Sequence, residues 1–275
     1  MTGLTRRGLG VLGAASLVSA AGAQDRPRLF DAHFHIIDPR FPLIANQGYV
    51  PPAFVLPAYR AAAEPLGIAG GAVVAGSFQG FDQSWLLATL KDLGPGWVGV
   101  AQVPADMPDA EIVALSAAGV RGLRFNMFRG SIDNVDDLVA LATRAHRVGG
   151  WHAEVYADAA ALAPHVGRLT GMGVPLSIDH LGMTAAGVAV LLDLVSAGAK
   201  VKATGFGRVT MDVASVLEKI AARDPSAPMF GSDMPSTRAK RAFEAGDVAL
   251  IQRVLGEGLA RRALWDNARA FYRMA

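Results

Sequence analysis

The sequence predicts a single α/β domain, a (β/α)8 TIM barrel, and three observations predict it. Eight short β-rich runs alternate with longer Ala- and Leu-rich segments, and such strict alternation argues for parallel strands joined by right-handed crossovers. A count of eight favours a closed barrel over an open sheet. The length, 275 residues, lies near the roughly 250 typical of such barrels. A doubly wound open sheet is the alternative, but no Gly-rich phosphate-binding fingerprint follows the first run.

The first run, RLFDAHFH (28–35), sets Asp31, His33 and His35 on one strand face and Ala32 and Phe34 on the other. The stretch 38–57 that follows is the longest irregular connection and is rich in Pro and Gly (PRFPLIANQGYVPP). It leaves the first strand on the face where barrel active sites form, so it is expected to contribute a substrate lid. GGAVVAGS (70–77) and GWVGVAQV (96–103) are the next two runs. GVRGLRFN (119–126) places Arg124 and Asn126 opposite Phe125, and GWHAEVYA (150–157) places His152, Glu154 and Tyr156 on one face. VPLSIDHLG (174–182), AKVKATG (199–205) and APMFGSD (227–233) complete the eight. Between them the periodicity predicts helices over 83–92, 133–148, 159–172, 185–197 and 211–223.

Hydrophobic residues make up 52% of the chain and charged ones 18%, enough for a large core and unlike a disordered composition. The formal charge is +2, but Arg6 and Arg7 precede any acidic residue, and the remainder carries 24 side chains of each sign. That balance gives no electrostatic footprint for nucleic acid or a membrane surface. The uncharged stretch from Gly8 to Ala23 after Arg6-Arg7 ends in Ala21-Gly22-Ala23. It reads as a twin-arginine export signal over residues 1–23, with a mature domain over 24–275 and a periplasmic or secreted destination. With no cysteine present, disulfides and thiolate chemistry are excluded.

Residues at the C-terminal ends of barrel strands point into the active site. By that rule His33, His35, Ser77, Arg124, Asn126, Tyr156, His180 and Asp233 gather at one rim, with Arg208 and Arg129 in the loops beyond. Burying so many polar groups without partners costs a few kcal/mol each, so a network awaiting a ligand is the cheaper arrangement. Two neighbouring imidazoles can hold a metal ion or polarise an oxygen. Asp233 can alternatively cap the following helix, and His180 can be a packed core histidine. His146 and His165 fall on helical segments and are read as surface residues.

The stretches DAHFH, DH closing the sixth strand and SDMP closing the eighth resemble the amidohydrolase superfamily. GSFQGFDQSWL, VRGLRFN, GWHAEVY, VKATGFGR and LWDNARAFY bring the resemblance to the 2-pyrone-4,6-dicarboxylate lactonase group. That resemblance implies hydrolysis of a small acidic lactone, with Asp233 as general base and His33, His35 and His180 polarising the carbonyl. It further implies Arg124, Arg208, Ser77 and Tyr156 as binding groups, joined here by Asn126 and Arg129. It favours a site with no cofactor; one zinc ion held by His33, His35, His180 and Asp233 is the alternative. The metal-dependent members' lysine on the fourth strand is replaced by Arg124 and Asn126, and PSTRAKRAF lacks the asparagine expected after the eighth, offering Arg238 and Arg241. A mononuclear metal-dependent decarboxylase and a non-catalytic binding protein for acidic ligands are the competing readings.

Overall fold

In the computed structural model, which describes residue 1, residues 28–130 and residues 134–274, eight parallel strands pair in sequence order. They are β1 (Leu29–Phe34), β2 (Ile68–Val74), β3 (Trp97–Ala101), β4 (Val120–Asn126), β5 (His152–Tyr156), β6 (Leu176–Ile178), β7 (Lys200–Ala203) and β8 (Pro228–Phe230). The α/β barrel expected from the alternation is therefore the observed fold. The leader, with its export signal and cleavage pattern, falls almost wholly within residues 2–27, outside the described residues.

One helix follows each strand: α1 (Leu56–Ala63), α2 (Ser84–Leu93), α3 (Asp109–Ala117), α4 (Val135–Gly149), α5 (Val166–Gly171), α6 (Val188–Ser196), α7 (Val213–Arg223) and α8 (Ala245–Arg261). A short α9 (Asn267–Phe271) ends the fold. The helix expected over 159–172 is divided. Pro164 interrupts it, and Ala159–His165 forms a 3-10 segment before α5, because proline lacks the N–H and crowds the preceding turn. Helix starts follow capping chemistry elsewhere: Asn134 and Asp212 accept from the backbone N–H groups of α4 and α7.

The core lies between strands and helices. Phe34, Val73, Leu123, Val155, Ile178 and Val201 face outward into it and are essentially inaccessible. Arg124, Glu154, Tyr156 and Lys202 take the opposite, lumen-facing positions, and a second apolar cluster of Phe30, Ala32, Val74, Val98, Val100, Met229 and Tyr272 is buried apart from the outer core. The face expected to join Asp31 to His33 is not formed: the register shifts between Asp31 and Phe34, and Asp31 bonds Tyr59 of α1. No helix among the described residues is long and apolar enough to cross a membrane.

The seam between β8 and β1 is held by the main chain just beyond β8 and by one side chain. Asp233 N–H donates to His33 O at 2.7 Å and His35 N–H to Met234 O at 2.8 Å. Asp31 accepts from His33 N (3.2 Å), Ser232 N (2.8 Å), Ser232 Oγ (2.6 Å) and Tyr59 Oη (3.0 Å). Burial pushes its carboxyl up to about 6, against those hydrogen bonds.

Candidate active site

β6 and β8 are shorter than their runs suggested because the chain turns sharply at their exits. His180 (φ 51°), Leu181 (φ 52°) and Asp233 (φ 58°) adopt left-handed backbone, a costly conformation for these residues that recurs at functional sites. The turns aim His180 and Asp233 at the two histidines leaving β1. Gly205 (φ 64°) makes room: a Cβ there would sit 2.6 Å from His180 Nδ1.

The four groups meet in one buried place. Asp233 Oδ1 lies 3.8 Å from His33 Nε2 and 3.6 Å from His35 Nε2, and the His33 ring centroid is 4.9 Å from that of His180. Asp233 Oδ2 is occupied, accepting from Arg208 Nη2 at 2.5 Å and Nε at 3.1 Å. Among the described residues, Asp233 Oδ1 and His33 Nε2 have no hydrogen-bond partner. Asp233 therefore does not cap a helix; the next one, α8, starts at Ala245.

Of the four groups, His35, His180 and Asp233 line a pocket and His33 lies buried behind them; the remaining expected residues line the same pocket. Ser77, Arg124, Asn126, Arg129, Tyr156 and Arg208 all border it, with Asn46, Tyr49 and Arg238 at its mouth. Arg124 and Glu154 are register partners on β4 and β5, as are Asn126 and Tyr156. Arg124 Nη1 donates to Ala75 O at 2.8 Å and its Nε to Asp179 Oδ2 at 3.2 Å. Asn126 Oδ1 accepts from the Arg129 N–H at 3.1 Å. The 38–57 stretch forms one wall of the mouth, pinned where Arg238 bonds the Asn46 carbonyl and stacks 4.5 Å over Tyr49. His146 and His165 are half-buried rather than on the surface, and His146 Nδ1 bonds Trp151 O at 2.8 Å.

Sequence reasoning set His152 and Glu154 on one strand face but gave the layer beneath no role. Lys202 is fully buried and bonds Glu154 Oε2; its Nζ also lies 3.3 Å from His33 Nδ1 and 3.8 Å from Asp179 Oδ1. Glu154 Oε1 further receives His152 Nε2 at 2.9 Å and Tyr272 Oη at 2.7 Å. The alternation of Lys202 with Val201 and Ala203, and the acid before His180, were the available signals.

The charges follow from burial and neighbours. Burial is the largest influence on each imidazole and keeps it neutral: His33 far below its ordinary range with Lys202 and Arg124 adding to the effect, His35 and His152 lowered, and His180 pushed down to about 3. Burial alone would raise Asp233, but the Arg208 guanidinium, with His180 beside it, holds it far below the usual carboxylate range. A consequence for stability has a definite sign. The unfolded chain protonates these four histidines below about pH 6.5 and the folded chain resists, so stability falls as pH drops through that range. Asp31, whose folded carboxyl titrates at about 6, works oppositely between about 4 and 6, but it is one group against four. Thermal unfolding followed by circular dichroism is expected to give a lower Tm at pH 4.5 than at pH 7.5. A flat or inverted trend would show that the imidazoles are not held neutral.

Among the described residues, two groups of side chains are spaced to hold an ion: His33 with His180 and Asp233, and His33 with Glu154 and Asp179. Their chemistry argues against one. A histidine bound to metal through one nitrogen normally donates its other N–H to an acceptor. His35 is arranged that way, with Nδ1 against Val74 O at 2.7 Å. His33, the member common to both groups, has the Lys202 ammonium at Nδ1 instead. The second group already surrounds that ammonium, and Asp233 is paired with Arg208. The residues present do not fit a resident divalent ion.

A parallel eightfold barrel whose exits bring His-x-His, Asp-His and a last-strand Asp around one buried pocket defines a protein of the amidohydrolase kind. The chain belongs to that family: the family model described as Amidohydrolase matches residues 30–274. Among curated proteins it is 32% identical to a 2-pyrone-4,6-dicarboxylate hydrolase from Comamonas testosteroni, over 55% of this chain and 51% of that one. It is 27% identical to a D-galactarolactone isomerase from Agrobacterium fabrum (89% and 91% covered) and 29% identical to a 4-sulfomuconolactone hydrolase from Rhizobium radiobacter (88% and 89% covered). The match to the first spans about half of that relative; the other two are matched nearly end to end. Among solved structures, a probable 2-pyrone-4,6-dicarboxylic acid hydrolase from Acinetobacter baumannii with citric acid bound superposes with a TM-score of 0.78. It covers 90% of this chain and 100% of that one at 18% identity, a likeness of fold.

Proposed function

We propose that this chain hydrolyses a small carboxylated lactone without a metal, using Asp233 as general base. The observation that carries the reading is the division of labour at that carboxylate: Oδ2 is tied to Arg208, and Oδ1, without a partner, faces His33 and His35. His35 gives its Nδ1 proton to Val74 O, so its Nε2 is an acceptor. A water between Asp233 Oδ1 and His35 Nε2 has two acceptors for its two protons and its lone pair turned outward. As that oxygen adds to the lactone carbonyl carbon, Asp233 Oδ1 takes a proton. His33 and His180 supply donors for the developing oxyanion. The ring C–O bond then breaks, and the proton held on Asp233 passes to the leaving oxygen, giving a hydroxy acid with one new carboxylate.

An ion-paired carboxylate is a weak base. A substrate carboxylate bound by Arg208 would draw the guanidinium from Asp233 and raise its basicity, which links the acidic substrate to catalysis. Arginine suits that task because its planar fork meets a carboxylate with two bonds. Arg124, Arg129, Asn126, Ser77 and Tyr156 make up the rest of the binding surface in this reading. Replacing Arg129, at the pocket mouth, with Met is expected to raise KM roughly 10- to 100-fold with kcat nearly kept, the cost of one charge-assisted hydrogen bond. Steady-state kinetics check it, and a fall in kcat alone would remove Arg129 from substrate binding. The leader read over residues 1–23 makes a periplasmic address part of the proposal.

The test is acid release in a pH-stat from a panel of carboxylated and sulfonated lactones, with and without chelator. Hydrolysis yields one titratable acid per turnover and survives chelation. The isomerase among the relatives supplies the second reading: an intramolecular acyl shift would change the lactone and release no acid. Carbon dioxide release with one bound divalent ion per chain would point to the decarboxylase. Ligand-induced stabilisation without turnover, unchanged in Asp233→Asn, would point to a binding protein.

A further inference from the structure

We infer that Lys202 is the barrel's built-in cation: its ammonium fills the space among His33, Glu154 and Asp179 and fixes His33 as an Nε2–H donor facing the reacting atoms. Those three side chains are close enough to share an ion, and the Lys202 Nζ stands among them, bonded to Glu154 Oε2, 3.3 Å from His33 Nδ1 and 3.8 Å from Asp179 Oδ1. An ammonium has three donors and no lone pair. Two groups face His33 Nδ1, the Lys202 ammonium at 3.3 Å and Asp179 Oδ1 at 3.6 Å. The ammonium is the nearer and can only donate, so we assign Nδ1 as the acceptor and the ring proton to Nε2. Nε2 is the unpartnered nitrogen 3.8 Å from Asp233 Oδ1.

The adjacent histidine has the opposite polarity. His35 donates through Nδ1 to Val74 O, leaving its Nε2 as acceptor 3.6 Å from the same Asp233 oxygen. One histidine can thus hold a water and the other can hold a carbonyl oxygen. What separates them is the partner behind each ring. Glu154 keeps the ammonium in place and is itself secured by His152 and Tyr272. Neither Lys202 nor His33 is among the lining side chains, but His33 lies against Asp233 and His180, which are. Lys202, one layer further back, acts through His33 as a positioning residue.

The test is nuclear magnetic resonance of the full chain labelled with 15N-histidine, with His33→Gln identifying the His33 signals. The expected result near neutral pH is a His33 ring with Nδ1 bare and Nε2 protonated; a protonated Nδ1 overturns the inference. Lys202→Met, which keeps most of the stem and removes the ammonium, is expected to release the tautomer so that both forms appear. Its kcat should fall roughly 10- to 100-fold with KM little changed, the usual effect of losing a partner behind a site histidine. An unchanged ring and unchanged kcat in that variant also overturn it. If Lys202→Met does not fold, the wild-type spectrum decides alone. Only the kinetic arm rests on the lactonase reading: a protein that opens no lactone yet shows the Nε2–H ring refutes hydrolysis and supports this inference.

Discussion

Replacing Asp233 with Asn is expected to lower kcat for lactone opening by roughly a hundred- to ten-thousandfold, the range for losing a positioned general base, with the barrel still folded. The two oxygens of this carboxylate have separate tasks. Oδ2 receives Arg208 at 2.5 Å and 3.1 Å, and the asparagine amide oxygen can take over that position, so the buried arginine is not stranded. Oδ1 becomes an NH2 group, which cannot accept a proton and would present a donor where the water must give one up. KM should move little, because the arginines that receive the substrate's acid groups remain. The measurement is steady-state kinetics on the best substrate of the panel, with circular dichroism to show the fold. Activity within about tenfold of wild type would leave the missing barrier too small for a general base and would shift the role to another group at the rim.

The architecture was legible because period-2 and period-3.6 patterns alternate cleanly, and because side chains at strand exits of a barrel share one rim. That reasoning located Arg124, Asn126 and Tyr156 by strand alternation. On β1 a register shift between Asp31 and Phe34 breaks the alternation, so Ala32 and Phe34 part company and Asp31 turns to Tyr59, while His33 and His35 still reach the site. For His180 and Asp233 the same reasoning fixed the place in the chain and left the direction open. Their side chains are aimed by left-handed backbone at φ 51° and 58°, and nothing in a run of residue types announces a left-handed Asp or His. Lys202 was hidden by a different effect. Alternation with Val201 and Ala203 can set Lys202 on the inner face, but nothing in the run says that its ammonium meets Glu154 and His33 there. Asp179 and Asp31 were overshadowed by the histidines beside them, although each sits at a junction: Asp179 between Arg124 and Lys202, Asp31 between the first strand and the residues that follow the last. Such roles depend on contacts across 23 to 201 sequence positions, which periodicity cannot see.

Asp31→Ala is expected to cost roughly 3–6 kcal/mol, the largest stability loss from one side chain at this seam. The carboxylate receives two backbone N–H groups and two hydroxyls. The hydroxyls can turn away, but the N–H groups of His33 and Ser232 cannot, and each buried donor left unsatisfied costs about 1–3 kcal/mol. For a chain of this size, about 2–4 °C of Tm is lost per kcal/mol, so a fall on the order of 10 °C should be visible by calorimetry. Asp31→Asn should be milder, since its amide oxygen can still accept from the backbone while the hydroxyls of Tyr59 and Ser232 reverse to accept from its NH2. The pH dependence gives a second check with a fixed sign. Because burial raises the folded carboxyl to about 6 from an ordinary value near 3.9, the stability Asp31 contributes is full below about pH 4 and declines as pH rises through 6. The deficit of Asp31→Ala relative to wild type should therefore be larger at pH 4.5 than at pH 8. A deficit that grows with pH would mean that Asp31 is held as an anion by its four donors and that burial does not govern it. Loss of activity should accompany the loss of stability, because the seam that Asp31 closes is the one across which His33 O accepts from Asp233 N–H at 2.7 Å, and a shift there separates the base from the imidazoles it faces.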